Sequence, residues 1–176
     1  MRMEKVLLYQ MDSLYRDSFK IYGYHFGGNE KTVCIVGAIR GNEIQQLYMC
    51  SNLIKTLKLL EERRCLDENL GIMIVPSVNP YSLNTSARFW ATDNTDINRM
   101  FPGYDLGETT QRIADGFFQK VKDYTYGIHL KKTFSDGKGD ATQVQFVLQN
   151  QTDRYYVKAN GTDGVYYVTG KEEERN

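Results

Sequence analysis

The sequence has no surplus of charge of either sign and no long apolar run. Its 22 Lys and Arg residues balance 22 Asp and Glu residues, and the pI is near 6.7. Nucleic-acid-binding domains usually carry a basic surplus, so this balance argues against that class of partner. No apolar run approaches the roughly 18 residues of a membrane-spanning helix, and the first residues meet acidic and amide side chains too early for a signal peptide. We therefore expect a soluble, cytoplasmic protein with no nucleic-acid or membrane partner.

Cysteine is also scarce. The three cysteines, Cys34, Cys50 and Cys65, are too few and too scattered for a disulfide framework or a CxxC site. An odd number suits a reducing compartment. Cys34 falls in an apolar strand pattern and Cys50 on a helix face, so both are predicted to be small buried hydrophobic residues. A nucleophilic role is the alternative, and it would need a base nearby.

The chain does have the length and the pattern of an α/β fold. Its 176 residues correspond to about one domain. Residues 1–130 alternate between strand and helix patterns, which predicts a mixed, largely parallel sheet flanked by helices. The predicted strands are Lys5–Tyr9, Lys20–Phe26, Lys31–Val36, Gly71–Val75 and Tyr126–Leu130, and the predicted helices run from about Asn42 to Leu60 and from Glu108 to Asp123.

Residues 131–176 have a different texture, without helical periodicity. Turn signals separate three strand-like runs there, so we predict a β-rich extension after a boundary near residue 130. The three runs are Val144–Leu148, Tyr155–Lys158 and Val165–Thr169. The polar end of the sequence, residues 171–176, is predicted to be frayed.

Chemically capable residues follow the predicted strands. Ligands bind beyond the carboxyl ends of strands in open α/β sheets, so these residues are expected to surround one pocket. A carboxylate and an imidazole can share a Zn²⁺ ion, and two guanidinium groups with an amide suit a substrate carboxylate. The residues are Glu43, Arg88, Asn98, Arg99 and His129.

Each of these residues also has a purely structural interpretation. His129 fits a hydrogen-bonded core histidine, and Glu43 near a helix N-terminus is favourable without any metal. Arg88 and Arg99 fit solvated charges of the long segment Pro76–Gly107, although a loop of that length in a compact domain is usually functional or disordered. The aromatic residues of that segment, Phe89, Trp90 and Phe101, are predicted to pack it against the domain.

The same segments carry a recognisable series of motifs. GAIRGNE, NPY, SARFW, DINRMFPG and YGIHL occur in this order between residues 37 and 130. The region from about residue 32 to residue 130 resembles the M14-type zinc carboxypeptidases, in particular their succinylglutamate desuccinylase/aspartoacylase branch. DINRMFPG is the most specific element of the resemblance.

The resemblance implies a role for each matching residue. Glu43 and His129 match zinc ligands, and Arg88 matches the arginine that polarises the scissile carbonyl and stabilises the oxyanion. Asn98 and Arg99 match the pair that holds the substrate's carboxylate. The implied activity is zinc-dependent hydrolysis of an amide bond next to a carboxylate, in a small acylated amino acid or at a peptide C-terminus.

Two departures from the family pattern affect this expectation. Arg40 stands at the family's first zinc-binding histidine, and arginine has no lone pair to give a metal. It could instead form a salt bridge with Glu43 or bind an anion. Only 47 residues follow His129, as 176 minus 129 gives, and they do not resemble the half of the family domain that contains the proton-shuttling glutamate. The family domain is therefore expected to be incomplete here.

The last part of the chain has a weaker resemblance of its own. The runs from Leu130 to Thr133 and from Val144 to Val168 resemble the opening strands of a Cna B-type module. In such modules an isopeptide-forming lysine near the start would correspond to Lys131 or Lys132. The alternative is a divergent β extension that completes the edge of the sheet.

Three hypotheses about function follow. The chain is a zinc-dependent amide hydrolase, impaired by Arg40 and by the missing second half. Alternatively it is a non-catalytic domain that binds a carboxylate ligand on the same scaffold. In a third interpretation it is a truncated or recombined reading frame. The sequence leaves the substrate and the oligomeric state open.

Overall fold

The computed structural model describes residues 3–13, 17–130, 143–149 and 154–160, the last two ranges as backbone strands. Within these ranges, seven strands form one sheet and three α-helices lie outside it. The strands are β1 (Glu4–Met11), β2 (Phe19–Gly27), β3 (Glu30–Ala38), β4 (Leu70–Ser77), β5 (Tyr126–His129), β6 (Gln143–Gln149) and β7 (Arg154–Asn160). The helices are α1 (Ile44–Glu62), α2 (Pro80–Asn84) and α3 (Thr109–Val121), with a short 3-10 helix at Ile97–Arg99.

The sheet is mixed, as predicted, and its parallel part lies at the centre. The strand order is β1-β2-β4-β3-β5-β6-β7. β3 pairs in parallel with β4 on one side and with β5 on the other, whereas the remaining neighbours pair antiparallel. The parallel pairing is thus confined to three strands. Their carboxyl ends meet at one edge of the sheet, where a ligand site is expected.

Both faces of the central sheet are buried, which explains the continuous apolar sequence of β4. Ile72 and Ile74 pack on one face with Cys50 and Leu57 of α1. Met73 and Val75 point to the other face, because side chains alternate along a strand, and they join the core beneath α3. The fold is therefore a three-layer arrangement of helix, sheet and helix around the parallel strands.

The buried cysteines behave as predicted. Cys34 and Cys50 are buried, and Cys65 is exposed. Burial raises the pKa of the Cys34 thiol, with a smaller effect of nearby Cys50, and burial also raises that of Cys50, in each case to about 12. A thiol with such a pKa is almost never a thiolate at neutral pH, so neither group is prepared for nucleophilic chemistry.

The segment after β4 contains more regular structure than predicted. Instead of one long loop, it forms α2 and the 3-10 helix. Helix α2 begins at Pro80, and the side chain of Asn79 accepts a hydrogen bond of 3.1 Å from the backbone N–H of Ser82. Proline at the first position and an asparagine cap both favour a helix start. Two short local signals therefore interrupt a stretch whose composition suggested a loop.

Aromatic contacts hold this segment against the sheet. Trp90 is buried and packs edge-on against Phe19 of β2, with ring centroids 5.2 Å apart. Phe101 contacts Phe117 of α3, at 6.1 Å between centroids. These two contacts confirm the predicted packing role, but Phe89 is exposed. The segment is thus anchored at Trp90 and at Phe101, on both sides of Arg99.

Beyond β5, two of the three predicted strands are present. β6 and β7 cover the runs predicted at Val144–Leu148 and Tyr155–Lys158, and β6 pairs with β5, so they extend the same sheet. The run Val165–Thr169, the lysines at 131 and 132 and the end of the sequence lie outside the described residues. The boundary near residue 130 and the resemblance to a Cna B-type module stay predictions.

No helix among the described residues is both long enough and apolar enough to span a membrane.

Candidate functional site

Four of the sequence-predicted residues meet at the carboxyl ends of β3 and β4. Arg40 and Glu43 follow β3, whereas Arg88, Asn98 and Arg99 lie in the segment after β4. A sixth residue, Asp96, connects them: it accepts hydrogen bonds or ion pairs from three arginines, Arg40, Arg88 and Arg99. We call Arg40, Glu43, Arg88, Asp96 and Arg99 the Asp96 cluster.

The strongest contact in the cluster joins Arg40 to Asp96. Nε of Arg40 donates to Oδ1 and Oδ2 of Asp96 at 2.8 and 3.0 Å, and Nη2 donates to Oδ2 at 2.8 Å. Both side chains are largely buried, with 16% of Arg40 and 5% of Asp96 exposed. A bidentate guanidinium–carboxylate contact of this kind is both stronger and more directional than an ion pair with one hydrogen bond.

Glu43 is engaged through both of its carboxylate oxygens. Its Oε2 accepts hydrogen bonds from the backbone N–H groups of Ile39 and Arg40, at 2.8 and 3.0 Å. Its Oε1 accepts from Nη1 of Arg40 at 3.2 Å. Glu43 therefore fastens the turn between β3 and α1 and at the same time holds the arginine that the turn carries.

A glycine lets this turn approach the segment after β4. Gly41 donates its backbone N–H to the carbonyl of Ala87 at 2.9 Å. A Cβ at position 41 would collide with the carbonyl of Ser82. Glycine is therefore required between Arg40 and Glu43, because any side chain there would push the two segments apart.

Arg88 and Arg99 are attached to the same carboxylate more loosely. Nε of Arg88 lies 3.2 Å from Oδ2 of Asp96, and Nε of Arg99 lies 3.9 Å from the same oxygen. Their side chains are 46% and 73% exposed. Both arginines consequently present guanidinium N–H groups to solvent beside a carboxylate that they share.

Asn98 is positioned by the same aspartate. Its backbone N–H donates to Oδ1 of Asp96 at 3.2 Å, so Asp96 caps the 3-10 helix that carries Asn98 and Arg99. A second aspartate of the segment fixes the next helix: Asp93 accepts from the backbone N–H of Thr110 at 2.9 Å and from its hydroxyl. These two caps set the position of the loop that carries the candidate ligand contacts.

His129 lies at the end of β5, on the face of the sheet that α3 covers. It is paired in the parallel register with Val36 of β3. It lines a cavity of about 220 Å³ whose other walls are mainly apolar and include Ile39, Phe101 and Phe117. None of Glu43, Arg88, Asn98 and Arg99 is among the residues that line this cavity. The pocket that His129 was expected to share with them, and its role as a metal ligand, stay predictions.

The charges of the cluster leave one positive charge in excess, since three guanidinium groups face two carboxylates. Burial is the largest single influence on Asp96 and opposes its ionisation. The hydrogen bonds and charge of Arg40, together with Arg88 and the Asn98 amide, outweigh it and lower the pKa of Asp96 below its ordinary 3.8. The hydrogen bond from Arg40 to Asp96 is the main reason that the pKa of Arg40 is raised.

Asp96 was not among the residues singled out from the sequence. Two signals were present: it is the first residue of DINRMFPG, and it stands one position before a short helical run. Neither signal indicates that the carboxylate of Asp96 accepts hydrogen bonds from the guanidinium of Arg40, which lies 56 residues earlier in the chain.

The comparisons with known proteins agree with the fold and the motifs. Residues 29–136 match the succinylglutamate desuccinylase/aspartoacylase catalytic domain. Because this match covers more than half of the 176 residues, the chain belongs to that family. Among curated proteins, no relative matches the sequence.

Several solved structures share the fold. An aspartoacylase family protein from Mesorhizobium loti aligns with a TM-score of 0.62 at 23% identity over 74% of this chain and 40% of that one. A succinylglutamate desuccinylase from a Silicibacter species aligns with a TM-score of 0.58 at 26% identity, over 82% and 42%. The product-bound ectoine utilization protein EutE from Ruegeria pomeroyi gives 0.56 at 22%, over 72% and 38%. The chain thus spans about two fifths of the length of these structures.

Zinc is the metal that the family leads one to expect, but the residues of the cluster do not fit it. Arg40 stands where the resemblance places a histidine ligand, and its guanidinium has no lone pair to donate. Among the described residues, no group of three or more His, Cys, Asp or Glu side chains is arranged to hold a metal ion. Structural and catalytic zinc sites usually have at least three protein ligands.

Proposed function

We propose that this domain binds a small carboxylate-bearing molecule on the scaffold of an amide-bond deacylase. The observation that carries the proposal is the excess positive charge of the Asp96 cluster, presented by two exposed arginines. Arg88, Asn98 and Arg99 are the proposed ligand contacts. The zinc-dependent hydrolysis of the family is the activity that we propose this chain performs weakly or has lost.

The hydrogen bonds of the three arginines support Arg88 and Arg99, rather than Arg40, as the ligand contacts. Arg40 uses Nε and both terminal nitrogens on Asp96 and Glu43, so it is committed to the protein. Arg88 gives Asp96 only its Nε, and Arg99 approaches at 3.9 Å. A planar guanidinium with terminal N–H groups to spare can take a carboxylate through two parallel hydrogen bonds.

The chemistry of the similar proteins supports a small ligand. Their names refer to succinylglutamate desuccinylase, to aspartoacylase and to ectoine utilization. The first two names refer to an acyl group on a small amino acid. We propose a ligand of that class, with one carboxylate on Arg88 and Arg99. The family resemblance of Asn98 and Arg99 to a carboxylate-holding pair points in the same direction.

Amide hydrolysis is the second candidate, and family membership is what favours it. Glu43 and His129 would be metal ligands and Arg88 the group that polarises the carbonyl. The commitment of Glu43 to Arg40 and to two backbone amides weighs against this candidate, so we propose no catalytic step for it. We also propose a reducing cytoplasm as the location, supported by three free cysteines.

The binding proposal is tested by calorimetric titration of the full chain with succinate at low salt. We expect saturable binding that Arg99→Gln weakens about tenfold, which corresponds to about 1.4 kcal/mol. Succinamide, which has the same carbon skeleton without charge, should not bind. Arg112→Gln removes an equal charge from an exposed position of α3 and should leave the affinity unchanged.

Two results would contradict the proposal. One is the absence of saturable succinate binding, and the other is an equal loss of affinity in Arg112→Gln and Arg99→Gln, which would indicate an unspecific charge effect. Release of free amino acid from N-succinyl or N-acetyl amino acids in the presence of added zinc would favour the hydrolase candidate instead.

A further inference from the structure

Two acidic side chains that could serve as metal ligands share one cation that belongs to the protein, the guanidinium of Arg40. Glu43 and Asp96 both contact the guanidinium of Arg40, through Nη1 on one side and through Nε and Nη2 on the other. Arg40 lies between them and is mostly buried, with 16% of its side chain exposed. The two carboxylates are 53 residues apart in the chain, so their common partner is a product of the fold.

We propose that the guanidinium of Arg40 is the resident cation of this site, and that Arg40 keeps a divalent metal out. The inference does not depend on the identity of the carboxylate ligand. It assigns to Arg40 a role in which its positive charge stabilises both carboxylates, and its planar guanidinium connects the turn after β3 to the segment after β4.

The hydrogen bonds that the oxygens of Glu43 and Asp96 accept support this assignment. One oxygen of Glu43 accepts two backbone N–H groups, and the other accepts Arg40. Both oxygens of Asp96 accept Arg40, and the Asn98 amide and Arg88 add further contacts. A metal would have to displace hydrogen bonds at each carboxylate and would meet the positive charge of a guanidinium that does not lose its proton.

The position of Arg40 also predicts what its removal would create. A histidine at position 40 would stand between Glu43 and Asp96, because the present side chain contacts both. One imidazole and two carboxylates make a set of three zinc ligands, the minimum that zinc sites usually have. A lysine at position 40 would keep the positive charge and would offer no lone pair while protonated.

The test uses zinc alone as the probe. The unaltered protein, Arg40→His and Arg40→Lys are dialysed against zinc chloride, and bound metal is measured by elemental mass spectrometry. We expect about one zinc per chain in Arg40→His and essentially none in the other two proteins. Cobalt substitution should give the visible absorption of a protein-bound ion in Arg40→His only.

Each alternative outcome contradicts the assignment. Stoichiometric zinc in the unaltered protein would show that Arg40 does not exclude metal. Absence of zinc from a folded Arg40→His would show that something other than Arg40 keeps metal out.

A second measurement covers the case in which Arg40→His does not fold. In the unaltered protein, the Nε–H of Arg40 should give a resolved NMR signal that is protected from solvent exchange, and added zinc should not move it. A signal that exchanges as fast as those of exposed arginines, or that zinc shifts, would overturn the proposal.

Discussion

Two glutamates at opposite ends of α1 make nearly the same contacts with the backbone but differ in what surrounds them. Glu43, at the start of the helix, accepts N–H groups from Ile39 and Arg40. Glu61, in the last turn, accepts N–H groups from Met3 and Gly27, at 2.7 and 3.2 Å. In both places a carboxylate holds chain segments together at an end of the sheet.

The difference lies in the arginines. At the amino end of the parallel strands, Glu61 connects Met3, just before β1, to Gly27, the last residue of β2. At the carboxyl end, Glu43 also holds Arg40, which in turn holds Asp96 beside two exposed arginines. The backbone contacts of Glu43 are thus a structural task that it shares with Glu61, whereas the contact with Arg40 belongs to the candidate site.

The comparison of Glu43 with Glu61 shows that the position of a residue in a family motif does not determine which contacts the residue makes. Glu43 occupies the place of a metal-ligating glutamate, and its contacts include those of a turn-stabilising residue. The carboxylate of Glu43 holds the turn before α1, and it also orients Arg40. Its role as a metal ligand stays a prediction.

The largest effect is expected from breaking the centre of the cluster. Asp96→Asn removes the charge that compensates Arg40 in a largely buried site, and we expect a loss of about 2–4 kcal/mol in the free energy of unfolding. Urea unfolding followed by circular dichroism measures it. Asp123→Asn is the matched control, since Asp123 forms an exposed ion pair with Lys31 at 3.1 Å. The control should cost less than about 1 kcal/mol. Equal losses in both variants would contradict the structural importance of Asp96.

A smaller effect is expected from changing the two glutamates themselves. Glu43→Gln weakens the contacts with two backbone amides and with Arg40, and should cost about 1–2 kcal/mol. Glu61→Gln weakens the backbone contacts alone and should cost about 0.5–1 kcal/mol by the same measurement. If Glu61→Gln is the more destabilising of the two, the contact between Glu43 and Arg40 contributes little to stability.

The smallest effect is a change in how stability depends on pH. The pKa of Asp96 is lowered in the folded state, so its ionised form stabilises the fold above the pKa of the unfolded chain. That stabilisation is lost as the pH falls below about 4 and through the folded-state pKa. The stability difference between the unaltered protein and Asp96→Asn should therefore be constant near neutral pH and should shrink below pH 4. A difference that stays constant down to pH 2 would contradict the lowered pKa.

Local patterns were sufficient for most of the fold. The continuous apolar run GIMIV identified β4, and the apolar spacing of Cys50 and Leu57 identified α1 to within two residues. Helix α2 was missed because its signals, a single asparagine cap and one proline, are short compared with the polar composition around them. The sequence did not specify the antiparallel pairs either. β2 and β3 follow each other in the chain, but β4 lies between them in the sheet, and no local pattern encodes that order.

The candidate site was only partly predictable. Family motifs pointed to Glu43, Arg88, Asn98, Arg99 and His129. The structure brings the first four to one edge of the sheet, and the roles of all five stay predictions. The alternative of a salt bridge between Arg40 and Glu43 was visible from their spacing of three residues. The central position of Asp96 could not be predicted, because Arg40 follows β3 whereas Arg88 lies in the segment after β4.

The amino-acid sequence by itself determined the family, most of the strands and helices, and the replacement of a histidine by Arg40. Those features depend on residue identity and on short-range spacing, and a motif records both. Only the tertiary structure decided what Arg40 does, because its carboxylate partner Asp96 lies 56 residues away. Parallel pairing of β3 and β4 places their carboxyl ends side by side, and the close approach at Gly41 brings the two turns within hydrogen-bonding distance. The arginine that replaces a metal-ligating histidine in the motif is thereby part of a cluster of three arginines and two carboxylates with one positive charge in excess.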